Sequence, residues 1–140
     1  MGPTIVTGSR YNPRRRGFTL VELMIVISII LILISVAVPV YSRSVTRAKE
    51  AVLKDQLFTL RQLIDEYTLD KQAAPQSLDD LVSEGYLREL PRDPFTNSST
   101  TWKTEMEDTL MSADQTQPGL VNVRSGSEKM SLEGTAYNTW

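Results

Sequence analysis

The chain lacks two residue types that carry much of protein chemistry, because its 140 residues include no cysteine and no histidine. Without cysteine, it can form neither a disulfide nor a thiol nucleophile nor a cysteine zinc site. Without histidine, it lacks the commonest general base and metal ligand, which excludes a Ser–His–Asp triad. It also has no glycine-rich phosphate-binding loop. These absences predict a protein that is not an enzyme.

Acidic residues are missing from the start of the chain, where the first acid is Glu22. Four arginines precede it, namely Arg10, Arg14, Arg15 and Arg16. The whole chain has 15 basic and 17 acidic residues, so the part that follows these arginines is acidic. Because nucleic-acid binding relies on clustered Lys and Arg, we expect no nucleic-acid partner. We expect the acid pairs Asp65-Glu66 and Asp79-Asp80 to lie on solvated faces of helices.

A long apolar segment runs from Phe18 to Val38 and contains a single charged residue, Glu22. As a helix, this segment would span about 32 Å, close to the thickness of a bilayer core. Its many Ile and Leu side chains outweigh the cost of one glutamate, about 2.5–3.5 kcal/mol if it lies deep. The preceding arginines place the N-terminal end in the cytoplasm and the rest of the chain across the membrane.

Glu22 is the first candidate functional residue, since an acid in a membrane segment usually has a partner and a role. In the alternative interpretation, Glu22 lies at headgroup level and only stabilises the positive end of its own helix. A different alternative treats the segment as a secretory signal, because Ser35-Val36-Ala37 has a small-x-small pattern and cleavage would leave Val38 first. The length of the apolar run and its acid are atypical of such signals.

Beyond the apolar segment, helical periodicity continues to about Lys71. Pro39 lacks an N–H and is expected to kink or loosen the helix. An apolar stripe is predicted at Val45, Ala48, Val52, Leu57, Leu60, Ile64 and Tyr67. This stripe is expected to cover a core formed with the rest of the chain, which is too short to bury enough apolar surface alone.

In the C-terminal part of the chain, the sequence pattern predicts shorter helices and strands. Ser77 and Asp80 resemble a helix cap for a short helix that Gly85 ends. Strands are predicted at 100–104 and 119–124, separated by a polar surface loop from Glu107 to Pro118. The expected fold class is therefore α+β, with a long N-terminal helix packed on a small antiparallel sheet.

The string Arg14-Arg15-Arg16-Gly17-Phe18-Thr19-Leu20-Val21-Glu22 resembles the class III leader and helix start of type IV prepilins and type II secretion pseudopilins. The segment from Ser77 to Leu87 and the run from Leu90 to Phe95 resemble G-type major pseudopilins. The resemblance covers roughly residues 14–95. It implies cleavage after Gly17, N-methylation of Phe18 and a role for Glu22 in subunit assembly. A free amine at Phe18 and a carboxylate at Glu22 would be less costly to bury as a pair.

The resemblance implies a pilin-like fold with four parts. They are a leader at 1–17, a transmembrane and filament-core helix at 18–38, an amphipathic helix at 39–72 and a small periplasmic α/β head at 73–140. The implied function is a structural subunit of the periplasmic pseudopilus of a type II secretion system. Its implied partners are further copies of itself, the prepilin peptidase, minor pseudopilins and an inner-membrane platform. The chain would cross the bacterial inner membrane once.

The resemblance also implies a calcium-binding loop near the C-terminal tryptophan, for which Ser125, Glu128 and Glu133 are the candidate ligands. Calcium takes six to eight oxygen ligands, often several carboxylates, and this stretch has only two acids. The alternative is a turn-rich tail without a metal, in which Trp140 packs on the sheet.

Three other functions remain open at this point. The first is a surface type IV pilus subunit for adhesion or motility, which would share the N-terminal features. The second is a single-span membrane protein with a periplasmic binding domain. The third is a secreted soluble domain cut after Ala37.

Overall fold

A computed structural model describes residue 2, residues 17–107 and residues 118–140. Most of the predicted leader and residues 108–117 of the predicted polar loop lie outside the described residues. The chain divides into two compact units, Met1–Pro39 and Val40–Trp140, called here the N-terminal unit and the C-terminal unit. Each unit is described by itself.

The elements follow the predicted α+β order. They are helix α1 (Leu20–Lys71), helix α2 (Leu78–Ser83), strand β1 (Lys103–Glu107), strand β2 (Gly119–Arg124) and a 3-10 turn (Tyr137–Thr139). Helix α1 ends at the predicted residue, and the following Gln72 adopts a left-handed conformation with φ 55°, as is common after a helix. Pro39 lies inside α1, so the helix is not divided into two elements there.

The core of the C-terminal unit is built on one face of α1. Leu53, Leu57, Leu60 and Ile64 are at most 2% exposed and follow helical spacing. Six further side chains complete this core: Leu78, Leu81, Trp102, Leu120, Val123 and Tyr137. The predicted stripe is therefore correct only in its second half.

The first half of the predicted stripe is wrong. Val45 and Val52 are 37% and 48% exposed, and the buried positions in this part of the helix are Glu50 and Leu53. Glu50 precedes Leu53 by three residues and Leu57 by seven, so the three share one helix face. The predicted stripe contained apolar residues alone, so it did not include Glu50.

Helix α2 forms as predicted because Asp80 caps its N-terminus. One Asp80 oxygen, Oδ2, accepts hydrogen bonds from the main-chain N–H groups of Gln76 (2.7 Å) and Ser77 (3.0 Å). Gly85 follows the helix with φ 85°, a left-handed conformation that glycine adopts without steric cost. Asp80 is therefore the cap that its spacing to Ser77 predicted, although as part of the pair Asp79-Asp80 it was also expected to be solvated.

The sheet has two antiparallel strands, with Lys103 paired to Arg124 and Glu107 to Gly119. The register shifts at Glu105/Met106. The second strand lies where it was predicted, but β1 begins three residues later than the predicted strand. Trp102 explains the difference: its side chain is 8% exposed and its indole N–H donates to the Pro91 carbonyl oxygen at 2.9 Å. Trp102 thus links the residues just before β1 to the segment that contains Pro91.

Gly126 lies where two main-chain segments approach closely. A Cβ atom at this position would lie 2.0 Å from the Thr101 carbonyl oxygen, a distance that requires the main chain to move. At Gly85, by contrast, a Cβ atom would meet nothing within 4 Å. A substitution at Gly126 therefore introduces a steric conflict, whereas a substitution at Gly85 introduces conformational strain alone.

We predict that Gly126→Ala lowers the free energy of unfolding by about 2–3 kcal/mol, because the new methyl group forces Thr101 away from the loop. Gly85→Ala is the matched control, with an expected loss of about 1 kcal/mol from its left-handed conformation alone. Denaturant unfolding of the detergent-solubilised full chain, followed by near-UV circular dichroism, compares them. An unchanged midpoint for Gly126→Ala would contradict the close approach.

Candidate functional site

The N-terminal candidate site begins with three residues that precede the helix, Gly17, Phe18 and Thr19. Thr19 caps α1: its hydroxyl accepts a hydrogen bond from the Glu22 N–H at 3.1 Å, and its carbonyl accepts one from the Leu23 N–H at 3.1 Å. A threonine followed three residues later by glutamate is a known helix-start pattern, which the sequence analysis overlooked. The cap fixes where the helix begins relative to the predicted cleavage position.

Glu22 lies in the first turn of α1 and is exposed. Its carboxylate is thus close to the partial positive charge of the helix N-terminus. Within the described part of the chain, no side chain forms an ion pair with Glu22. This position fits both interpretations of Glu22, helix stabilisation within one chain and pairing with a group from another chain.

The helix that follows Glu22 presents apolar side chains to its surroundings in every direction. Residues 20–39 are all exposed within the single chain. Examples are Ile25 at 55%, Leu31 at 61% and Ile34 at 49%. By length and composition, α1 is the one helix in the described residues that could cross a membrane.

The serines in this apolar segment satisfy their hydroxyl groups within the helix. Ser28 donates to the Met24 carbonyl oxygen and Ser35 to the Ile32 carbonyl oxygen, each at 2.7 Å. Such bonds remove the need for water at these hydroxyls. The carboxylate of Glu22 is then the group in this segment whose charge most needs a partner in a dry environment.

The second candidate site is the predicted calcium loop, whose three predicted ligands differ in their surroundings. Ser125 is buried, donates its hydroxyl to Asp93 Oδ2 and accepts the Ser127 N–H at 3.1 Å. Glu128 and Glu133 are exposed. Across residues 17–107 and 118–140, no group of three or more acidic side chains is placed to hold a metal ion. These residues do not fit a calcium ion with its six to eight oxygen ligands.

Two acids that the sequence analysis did not select occupy this region. Glu50 is 8% exposed, and its Oε1 accepts hydrogen bonds from the Leu132 N–H (2.8 Å) and the Tyr137 hydroxyl (2.9 Å). Asp93 is 0% exposed and accepts three hydrogen bonds. The sequence signal for Glu50 was its helical spacing to Leu53 and Leu57. Asp93 lies in an Asp-Pro turn, where such side chains often bond the main chain.

Arg61 connects α1 to both the sheet and the C-terminal residues. Its guanidinium donates to Asn122 Oδ1 (2.8 Å) and to the carbonyl oxygens of Val123 (2.9 Å) and Trp140 (2.8 Å). The Trp140 ring lies edge-on to Tyr137 at 5.1 Å, and the Lys54 ammonium lies 4.6 Å from its centre. Trp140 thus packs between α1 and the 3-10 turn, whereas the sequence predicted packing on the sheet.

Comparison with known proteins supports the N-terminal site. Residues 12–38 match the prokaryotic N-terminal methylation motif. The chain is 34% identical over 104 residues to the type II secretion system core protein G of Escherichia coli (strain K12), covering 63% of this chain and 72% of that protein. It is 36% identical over 98 residues to the core protein G of Klebsiella pneumoniae, covering 59% and 70%.

A shorter match connects the chain to a pilin. It is 50% identical over 52 residues to the type IV major pilin protein PilA of Myxococcus xanthus (strain DK1622). This match covers 37% of the chain but only 24% of PilA. No solved structure gives a significant match.

The capped apolar helix, the methylation motif and the α+β fold define a type IV pilin-like protein. At 34% identity over most of both chains, the relationship to core protein G extends well past the N-terminal motif. The chain belongs to the type II secretion system core protein G family, whose members are structural subunits.

We predict that the Tyr137 hydroxyl ionises only at strongly alkaline pH. Burial, and then its hydrogen bond to Glu50, raise the pKa of Tyr137 to about 12. Because this pKa is raised above the unfolded value of about 10, the stabilisation is complete below pH 10 and is lost as the pH rises through 12. Absorbance titration of tyrosinate should show a late step that disappears in Tyr137→Phe. Persistence of that step in the variant would contradict the assignment.

Proposed function

We propose that the chain is made as a precursor, is cut after Gly17 and polymerises into the periplasmic pseudopilus of a type II secretion system. In this function the protein is structural and catalyses no reaction. The observation that carries the proposal is the apolar part of α1 from residue 20 to residue 39, which is exposed throughout and overlaps the methylation motif at residues 12–38. The identity to core protein G over most of the chain supports this assignment over other pilin-like functions.

The exposed apolar helix can be buried in two environments. As a single span, it is stable in lipid because its main-chain hydrogen bonds are internal. In a polymer, the same side chains would pack against the helices of neighbouring copies. During assembly, the same apolar side chains would thus lose contacts with lipid and gain contacts with neighbouring helices. The chain needs no second apolar surface for this step.

Glu22 is proposed to set the register of this packing. Cleavage after Gly17 would create a free amine at Phe18, which is then expected to be methylated. Phe18 lies one residue before the Thr19 cap, so its amine is close to the start of a helix in every copy. A carboxylate and an amine from adjacent copies would neutralise each other in a dry interface, where either alone is costly.

The remaining components follow from the same proposal. The arginines before Gly17 favour a cytoplasmic N-terminus, so the C-terminal unit would lie in the periplasm and α1 would cross the inner membrane. The proposed partners are further copies of the chain, the prepilin peptidase, minor pseudopilins and the inner-membrane secretion platform. The chain has no nucleotide-binding motif, so other proteins would supply the energy for assembly.

A second candidate function is a surface type IV pilus subunit. The 50% identity to PilA of Myxococcus xanthus over 52 residues is the observation that favours it. Deletion of the gene distinguishes the two functions. Loss of protein secretion with intact surface fibres supports the pseudopilus, whereas loss of surface fibres with intact secretion supports the pilus.

We predict that the membrane-associated protein begins at Phe18 and carries one additional methyl group on its amine. Edman sequencing and intact mass of the purified membrane fraction provide the measurement. Gly17→Leu, which blocks access to the scissile bond, should leave the arginines attached, while Gly2→Leu should be processed normally. A mature chain that begins at Val38 would instead identify a secretory signal.

We predict that Glu22→Gln inserts into the membrane normally but reduces filament yield at least about tenfold, which corresponds to about 1.4 kcal/mol of lost pairing per copy. Glu66→Gln is the matched control, since Glu66 is also an exposed glutamate of α1 but lies outside the apolar segment. Quantification of sheared filaments and of membrane-bound protein separates assembly from insertion. Equal filament yields for Glu22→Gln and Glu66→Gln would remove Glu22 from the mechanism.

A further inference from the structure

The C-terminal loop, defined here as residues 125–140, has little regular structure to hold it in place. Its elements are one isolated bridge between Met130 and Ala136 and the 3-10 turn at Tyr137–Thr139. Yet Ser125, Ser127, Ser131 and Tyr137 are buried. Specific contacts to other parts of the C-terminal unit must therefore hold the loop closed.

The first such contact is the Glu50 carboxylate, which reaches the loop from α1. Glu50 accepts the Leu132 N–H and the Tyr137 hydroxyl, so one oxygen joins two positions in the loop to the helix. The chain separations are 82 and 87 residues. Hydrogen bonds to a charged acceptor are stronger than neutral ones, and burial strengthens them further.

The second contact is the Asp93 carboxylate, which holds the start of the loop. Oδ2 accepts the Ser125 hydroxyl, while Oδ1 accepts the N–H groups of Phe95 (2.8 Å) and Thr96 (3.4 Å). The Phe95 ring in turn stacks on Tyr137, with 3.8 Å between ring centres. The two carboxylates are thus linked through one aromatic pair.

The buried serine hydroxyls of the loop already take part in hydrogen bonds. The Ser127 hydroxyl accepts the Lys129 N–H, and the Ser131 hydroxyl accepts the N–H groups of Glu133 and Thr135. Among the described residues, the buried side-chain polar atom without a hydrogen bond is Gln56 Oε1, which lies on α1 and outside the loop. The buried hydroxyl groups of the loop therefore have hydrogen-bond partners without a metal ion.

We propose that two buried carboxylates, Glu50 and Asp93, close the C-terminal loop of this chain and that the closure requires no divalent cation. Glu50 and Asp93 act as positioning residues, because each carboxylate accepts hydrogen bonds from main-chain N–H groups and from a hydroxyl group. The proposal concerns the fold of the C-terminal unit, so it holds whether or not the chain polymerises. It differs from the calcium loop that the family resemblance implied.

Thermal unfolding of the full chain in detergent micelles, with either EDTA or millimolar CaCl2, tests the requirement for a cation. Near-UV circular dichroism reports the packing of Trp102, Tyr137 and Trp140. The expected midpoints in the two solutions agree within about 1 °C. A clear rise with calcium that is abolished in Glu128→Gln or Glu133→Gln would overturn the proposal.

The same assay tests the two carboxylates. Glu50→Gln and Asp93→Asn are expected to lower the midpoint by at least about 5 °C in both solutions, since each weakens buried charge-assisted hydrogen bonds. Glu128→Gln and Glu133→Gln are matched controls on exposed loop acids and are expected to leave the midpoint unchanged. Midpoints for Glu50→Gln and Asp93→Asn equal to those of the controls would contradict the closure.

Hydrogen exchange at the Leu132 amide tests the role of Glu50 separately, in variants that remain folded. In folded Tyr137→Phe, Glu50 retains its bond to the Leu132 N–H, so this amide should stay protected. In Glu50→Gln, its exchange should accelerate at least about tenfold relative to the sheet amides. Unchanged protection of the Leu132 amide in folded Glu50→Gln would refute the role of Glu50.

Discussion

The structure depends first on how the apolar side chains of residues 18–38 are removed from water. Within the single chain they are exposed in all directions around the helix. Complete burial is worth about 1.5–3 kcal/mol for each large apolar side chain, so the segment as a whole represents tens of kcal/mol. No other segment of the described residues exposes so continuous a run of large apolar side chains. Lipid and the helices of sister copies are the two environments that can satisfy it, which is why membrane insertion and assembly use one surface.

Among the polar side chains of this segment, that of Glu22 is the one that carries a charge. Thr19 caps the helix, and the hydroxyls of Ser28 and Ser35 bond to carbonyl oxygens of the same helix. Glu22 keeps a carboxylate without an ion-pair partner in the described part of the chain. Apolar packing between helices is tolerant of sliding, whereas a buried ion pair is not. In the proposed assembly, pairing of the Glu22 carboxylate with a group from another copy would select one register among many.

Sequence reasoning succeeded where the signal is local. The end of α1 at Lys71, the short helix α2 and the N-terminal motif each depend on residues within a few positions of one another. It failed where distant segments meet. The first strand starts later than predicted because Trp102 contacts Pro91, and Glu50 is buried because the loop brings Leu132 and Tyr137 to it. The calcium ligands were predicted from their position along the chain, whereas in the structure Ser125 is buried and bonded to Asp93, and Glu128 and Glu133 are exposed. Only the burial of Glu50 had an accessible signal, its spacing to Leu53 and Leu57.

The central claim is that residues 18–38 leave lipid only to be buried by copies of the same chain. Because the chain has no cysteine, a single introduced thiol reports on one position without background. The most direct measurement compares Ile30→Cys with Lys103→Cys, an exposed strand position, for reaction with a charged thiol reagent in filaments sheared from the membrane. The account predicts that the Ile30→Cys thiol is protected while the Lys103→Cys thiol reacts. Equal reaction rates at the two positions would contradict it.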